Sequence, residues 1–165
     1  FNAVVKLGCD VKDISQYFDS ISICLSKGLG APVGSVLCGS KDLIKSARRL
    51  RKMLGGGMRQ AGVIAAAGIY ALENNIQRLA QDHDNALLLG QGLAELEELD
   101  VDLDFLHTNM VFFKPRSGDS MVLCDYLQEK NILVEAASQI RLVTHMQISQ
   151  KDVQTIIDSV KAFYQ

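Results

Sequence analysis

Metal-ligand spacing is absent from this 165-residue sequence. Its four cysteines, Cys9, Cys24, Cys38 and Cys124, are scattered, with no Cys-x-x-Cys pair and no neighbouring pair of histidines. That excludes a structural zinc module, and isolated thiols fit a reduced, cytoplasmic protein. Cys24 and Cys38 lie in apolar stretches and are expected to be small core residues. An excess of charge is missing too. Seventeen basic and nineteen acidic residues leave a net charge of −2, so nothing drives the chain towards nucleic acid or an anionic membrane. Long apolar runs are also lacking. The longest helical one, Ala61 to Leu72, is interrupted by Gly62 and Gly68; it is too short for a bilayer and reads as a buried helix. There is no internal repeat and no low-complexity stretch.

What is present suits a folded chain. At 48% hydrophobic residues there is ample material for a core, and this length makes one domain or a little more. Local patterns predict alternating elements. A short helix is expected over Asp13–Phe18, and strands over Ser20–Leu25 and Gly34–Cys38. Ser40 can cap a helix running to about Leu54, with Leu43, Ala47, Leu50 and Leu54 on one face and Gly55-Gly56-Gly57 as its stop. Two further helices are expected, from about Arg59 to Asn74 and from about Ile76 to Leu96. The second is acidic towards its end, against the macrodipole. Beyond residue 100 the predicted strands are Val101–Leu103, Met110–Phe113, Ile132–Glu135 and Ile140–Val143, with a helix over Asp119–Glu129. Ser149 and Asp152 make a capping-box start for a closing helix. The pattern predicts an α/β fold: the end of an α/β domain over 1–80 and a small α+β domain over 81–165.

Lys27 follows the strand-like run Ser20–Ser26 and precedes Gly28-Leu29-Gly30-Ala31-Pro32. A lysine on such a junction is fixed at its Cα while its amine projects beyond the strand end. Covalent amine catalysis needs that mount, with small or apolar neighbours that keep the amine partly out of water. The same placement also suits a surface lysine at a turn. Arg141 stands in the strand-like run Ile140–Val143, where its planar fork could grip a carboxylate or pair with a core aspartate. Lys41, Lys45, Arg48 and Lys52 form one basic stripe, by default a solvated helix face. His145 is expected to hold a structural hydrogen bond, and His83 and His107 to be structural or exposed.

Four blocks carry a resemblance. Ser22–Ser35, with its Ser-Lys-Gly-Leu-Gly-Ala-Pro string, is similar to the cofactor-lysine segment of low-specificity L-threonine aldolases, which are pyridoxal-phosphate enzymes of fold type I. Arg51–Gln60, Thr108–Phe112 and Ile140–His145 stand in that family's order and near its spacing. The resemblance implies the end of an aspartate-aminotransferase-like large domain that binds pyridoxal phosphate, and after it the small C-terminal domain. It implies that Lys27 forms the Schiff base to the cofactor and that Lys52 and Arg59 reach the cofactor phosphate of a neighbouring subunit. Arg141 would hold the substrate α-carboxylate. Ser26 would be at most a minor contact, and no metal is implied.

The implied reaction is retro-aldol cleavage of L-threonine or L-allo-threonine, a carbon–carbon (aldehyde) lyase step in amino-acid metabolism that yields glycine and an aldehyde. Family members are homotetramers about twice this length, with active sites at a dimer interface. The stretch Phe1–Val5 resembles the segment directly after the family's Asp-Gly-Ala-Arg motif. The chain is therefore expected to be a fragment, the C-terminal half, partnered by an N-terminal half that carries the general base. Two other readings stay open. One is another lyase or transferase of the same fold; the other is a non-catalytic module whose basic helix, 41–52, takes nucleic acid or an acidic partner. The slight negative charge and the lack of interleaved aromatics weigh against the latter.

Overall fold

The computed structural model describes residues 1–165. They form two compact units: Phe1 with Ala3–Leu79, and Asn2 with Ala80–Gln165.

In the first unit, α1 (Asn2–Leu7) stops at Gly8, whose left-handed φ of 62° lets two N–H groups return to the last turn. Helix α2 (Val11–Ser15) starts on a capping box between Asp10 and Asp13. Strands β1 (Ser20–Cys24) and β2 (Ser35–Gly39) pair antiparallel, from Ser20 opposite Gly39 to Cys24 opposite Ser35. Ile21, Ile23, Val36 and Cys38 therefore share one face of the hairpin, and Cys24 lies on the other. Both Cys24 and Cys38 are exposed rather than core residues, because a two-stranded sheet has little to cover its faces. In α3 (Lys41–Met53) the Ser40 hydroxyl accepts the Leu43 N–H, with Asp42 in the first turn and Arg51 and Lys52 in the last. Its leucine face is covered only near its start: Leu43 and Ala47 are half-buried, while Leu50 and Leu54 are exposed.

Helix α4 (Gly62–Asn74) corrects the expectation of a buried helix. It is apolar on every side, yet only Gly68 and Ala71 are buried. Gly68 lets the helix approach Leu25 so closely that a Cβ there would lie 3.0 Å from Leu25 Cδ1. The core of this unit is small: Leu25, Leu29, Ala31, Ala71 and Leu79.

The second unit begins with α5 (Leu79–Ala94), of which Leu79 counts with the first. The helix stops before Glu95, Glu97 and Glu98, so the acidic residues fall outside its last turn and the opposition to the macrodipole does not arise. Strands β3 (Leu99–Val101), β4 (Met110–Pro115) and β5 (Ile140–Val143) form an antiparallel sheet in the order β3-β4-β5. Helices α6 (Ser120–Glu129) and α7 (Gln150–Tyr164) complete the unit, and α7 starts on the Ser149–Asp152 capping box. The strand expected over Ile132–Glu135 does not form. Asn131 turns left-handed at φ 62°, the Ile132 N–H returns to the Leu127 carbonyl, and the segment pairs with no strand. Thirteen buried hydrophobics, Phe113, Ile140 and Val153 among them, make one continuous core. No helix of the chain is long and apolar enough to cross a membrane.

Candidate functional site

Lys27 lies in a loop that is closed at its base. The Leu25 N–H donates to the Gly34 carbonyl and the Ala31 N–H to the Leu25 carbonyl, both at 3.0 Å. Inside this closure the Gly30 N–H donates to the Lys27 carbonyl at 2.8 Å, a turn that Gly30 permits with φ 73°. Leu25 and Leu29, on either side of the lysine, are buried, and Asn75 pins the turn by donating to the Leu29 carbonyl at 2.7 Å. Gly28 is a tight fit: a Cβ would stand 2.9 Å from Leu79 Cδ2. The backbone under Lys27 is thus held by hydrophobic anchors and hydrogen bonds, while the side chain stands in solvent. The expectation of a partly desolvated amine is not met within this chain. The rigid mount is present; the apolar surroundings are not.

Lys52 and Arg59 flank the glycine run as expected. Gly55 takes a left-handed φ of 85°, and Gly56 passes so near the end of α3 that a Cβ would meet the Arg51 carbonyl oxygen at 2.9 Å. The Lys52 side chain bends back over this turn: its Nζ is 3.4 Å from where a Gly57 Cβ would stand. Arg59 is exposed in the turn ahead of α4, which starts at Gly62 rather than at Arg59 and whose first N–H groups have no side-chain cap. A cation just ahead of an uncapped helix start, as Arg59 is, suits an anion. No hydrogen bond or ion pair joins Lys27 to either residue. Ser26 is exposed.

Arg141 belongs to the second unit, and the alternation of β5 fixes where it points. Ile140 and Thr144 are buried in the core, so Arg141 and Val143 occupy the opposite face of the sheet, in register with Phe112 and Met110 of β4. The guanidinium is exposed and takes no part in the ion pairs Lys114–Asp100 and Lys161–Glu95, so the pairing with a core aspartate is not realised. It lines a depression of about 730 Å³ with Leu133, Glu135, His145 and Thr155, formed where the unpaired 131–135 segment leaves the edge of β5 open. His145 is structural: its Nδ1 accepts the Gln147 N–H at 3.3 Å. His83 is buried and bonded through Nε2 to Asn2 Oδ1, and His107 is exposed. Burial pushes the Cys124 thiol up, with a smaller push from Asp125, so it is an inert packing residue.

Sequence reasoning missed a set of polar residues, the half-buried Asn75 and the buried Asn85, Asn109 and Thr144, each bonded to a backbone group. Asn109 and Thr144 do sit inside two of the blocks that carry the resemblance. Their polarity amid apolar strand residues was the available signal.

The beta-eliminating lyase family matches residues 1–116. The low-specificity L-threonine aldolase of Escherichia coli strain K12 is 48% identical over 163 residues, covering 99% of this chain and 48% of that protein. Low-specificity L-threonine aldolase 1 of Arabidopsis thaliana is 44% identical over 93% of this chain and 44% of its own length. The chain thus spans about half the length of the curated relatives it matches. Among solved structures, the Leishmania major threonine aldolase superposes with a TM-score of 0.76 at 18% identity, over 99% of this chain and 49% of its own, so it shares the fold. The match across Lys27, the glycine run and the Thr108–Phe112 block places the chain in the beta-eliminating lyase family.

Proposed function

We propose that the chain is the C-terminal half of a pyridoxal-phosphate-dependent threonine aldolase, a carbon–carbon lyase acting on L-threonine or L-allo-threonine. The observation that carries this reading is the Lys27 mount, a hydrogen-bonded turn anchored by buried Leu25, Leu29 and Ala31 that presents one exposed primary amine. Residues 1–80 are then the end of the cofactor-binding large domain of an aspartate-aminotransferase-like enzyme, and residues 81–165 its small domain. The residues present fit the cofactor: Lys27 offers a free amine for a covalent link to its aldehyde. Lys52, bent over the glycine turn, and Arg59, just ahead of an uncapped helix start, offer cations for its phosphate, here that of a neighbouring subunit in a homotetramer. When bound, pyridoxal phosphate supplies the sink for the electron pair released as the Cα–Cβ bond of a β-hydroxy amino acid breaks.

The chain's own residues orient that reaction. Lys27 anchors the cofactor. Arg141, exposed on the open sheet face and without an acidic partner, receives the α-carboxylate through two parallel N–H···O bonds. That grip is retained by glycine, so it holds product as well as substrate. The proton acceptor for the β-hydroxyl is assigned to the N-terminal half, and the cytoplasm to the whole enzyme.

The test is made in the complete enzyme. Lys27→Ala is expected to abolish the covalently held cofactor and its visible absorbance. Arg141→Ala should keep that absorbance and weaken threonine and glycine binding by about 2–5 kcal/mol, the range for truncating one partner of a charged pair. A borohydride-reducible cofactor link surviving in Lys27→Ala would sink the assignment.

A further inference from the structure

Strand β5 has four residues and lies at the sheet edge, held on one side only, by β4. Short edge strands fray from their ends, where opening costs little. Yet the residue just past β5, Thr144, is only 1% exposed, and each of its polar groups is bonded. Its N–H donates to the Asn109 carbonyl, and its own carbonyl accepts from Asn109 Nδ2, both at 3.0 Å. Its hydroxyl donates to the Asp82 carbonyl in α5 at 2.6 Å. Asn109, 7% exposed, thus grips both peptide groups that flank the Thr144 Cα, one with its backbone and the other with its side chain. One turn further along α5, Asn85 donates to the Ile148 carbonyl at 2.9 Å and so fixes the far end of the same loop.

We propose that Asn109 and Thr144 are positioning residues for Arg141. They anchor the C-terminal end of β5 to β4 and α5, and so hold the guanidinium three residues upstream on the open face of the sheet. The inference rests on the reading of Arg141 as the carboxylate receptor. A frayed β5 end would let Arg141 leave its register opposite Phe112, which lowers the population competent to bind a carboxylate and leaves the cofactor untouched.

The complete holoenzyme, assayed with L-threonine and titrated with glycine, tests it. Thr144→Val keeps the shape of the side chain and removes the donor. It is expected to raise the KM for threonine and the Kd for glycine roughly 3- to 10-fold, the effect of one net hydrogen bond, with the cofactor absorbance unchanged. Asn109→Ser, which withdraws the amide from the Thr144 carbonyl, should shift both constants the same way and serves where Thr144→Val does not fold. Thr144→Ser keeps the hydroxyl and should restore both. In an Arg141→Ala background Thr144→Val should add no further loss, which a merely destabilising substitution would not achieve. The proposal falls if Arg141→Ala weakens both ligands while Thr144→Val and Asn109→Ser leave them alone, if Thr144→Ser behaves like Thr144→Val, or if the loss is undiminished in the Arg141→Ala background. Unchanged affinities in Arg141→Ala would instead overturn the carboxylate reading itself.

Discussion

Two stretches of similar length use their apolar residues differently. The second unit gathers thirteen buried hydrophobics between a three-stranded sheet and its helices, while the first buries only five. The first is not short of apolar side chains; it leaves them outside. Val63, Ile69 and Tyr70 of α4 are 80%, 56% and 63% exposed. An open apolar depression of about 460 Å³ runs along the Ile21–Ile23–Val36 face of the hairpin. Helices apolar all round normally belong inside a larger body, and a two-stranded sheet is marginal by itself. Lys27 and Arg141 therefore rest on supports of very different self-sufficiency.

The largest expected effect comes from that difference. Expressed separately, residues 80–165 should give a monomer with one cooperative thermal transition. Residues 1–79 should aggregate or melt without one, because their exposed apolar patches lack a cover. Circular dichroism melts of the two pieces decide it, and a cooperative first unit would break the comparison.

A smaller effect uses one substitution with opposite outcomes. Gly92 in α5 faces Ile157, and a Cβ there would stand 2.5 Å from its Cδ1. Gly92→Ala should therefore destabilise by about 1–3 kcal/mol through overpacking, despite its gain in helix propensity. Gly62 opens α4 with nothing within 4 Å of its Cβ position. Gly62→Ala should stabilise by up to about 1 kcal/mol, because alanine restricts the unfolded chain more. Denaturant midpoints of the two variants should move in opposite directions.

The smallest effect lies at the start of α7. Hydrogen bonds from the Ser149 side chain and backbone hold the Asp152 carboxyl below its ordinary range. A carboxyl depressed in the folded state adds stability above its unfolded pKa, about 4, and loses it as pH falls through the lower folded value. Ser149→Ala should cost about 1 kcal/mol at neutral pH, typical of a lost cap. The deficit should narrow as the pH is lowered towards about 2, below the usual carboxylate range, as melts across that range would show.

Features written in local chemistry were legible in advance. Strand β5 has its expected bounds, and Ser40 and Ser149 cap the helices they were expected to cap. The Gly-rich sequence after Lys27 does make the turn that mounts it. Features that depend on what lies across the fold were not. Ile132–Glu135 is as strand-like in pattern as Ile140–Val143, but only the second finds a partner in β4. Apolar composition suggested that Ala61–Leu72 was covered, and composition cannot say whether a covering surface exists. The clasp between Asn109 and Thr144 spans 35 residues, so neither side chain signals the other.

The closed loop under Lys27 also bears on the order of events during folding. Its basal bond joins Leu25 to Gly34, a span of ten residues, and loops of that size close in roughly 10–100 ns. Short-range closure loses little chain entropy and does not wait for distant segments to meet. The turn that carries the Lys27 amine can therefore be sampled well before long-range pairing is complete.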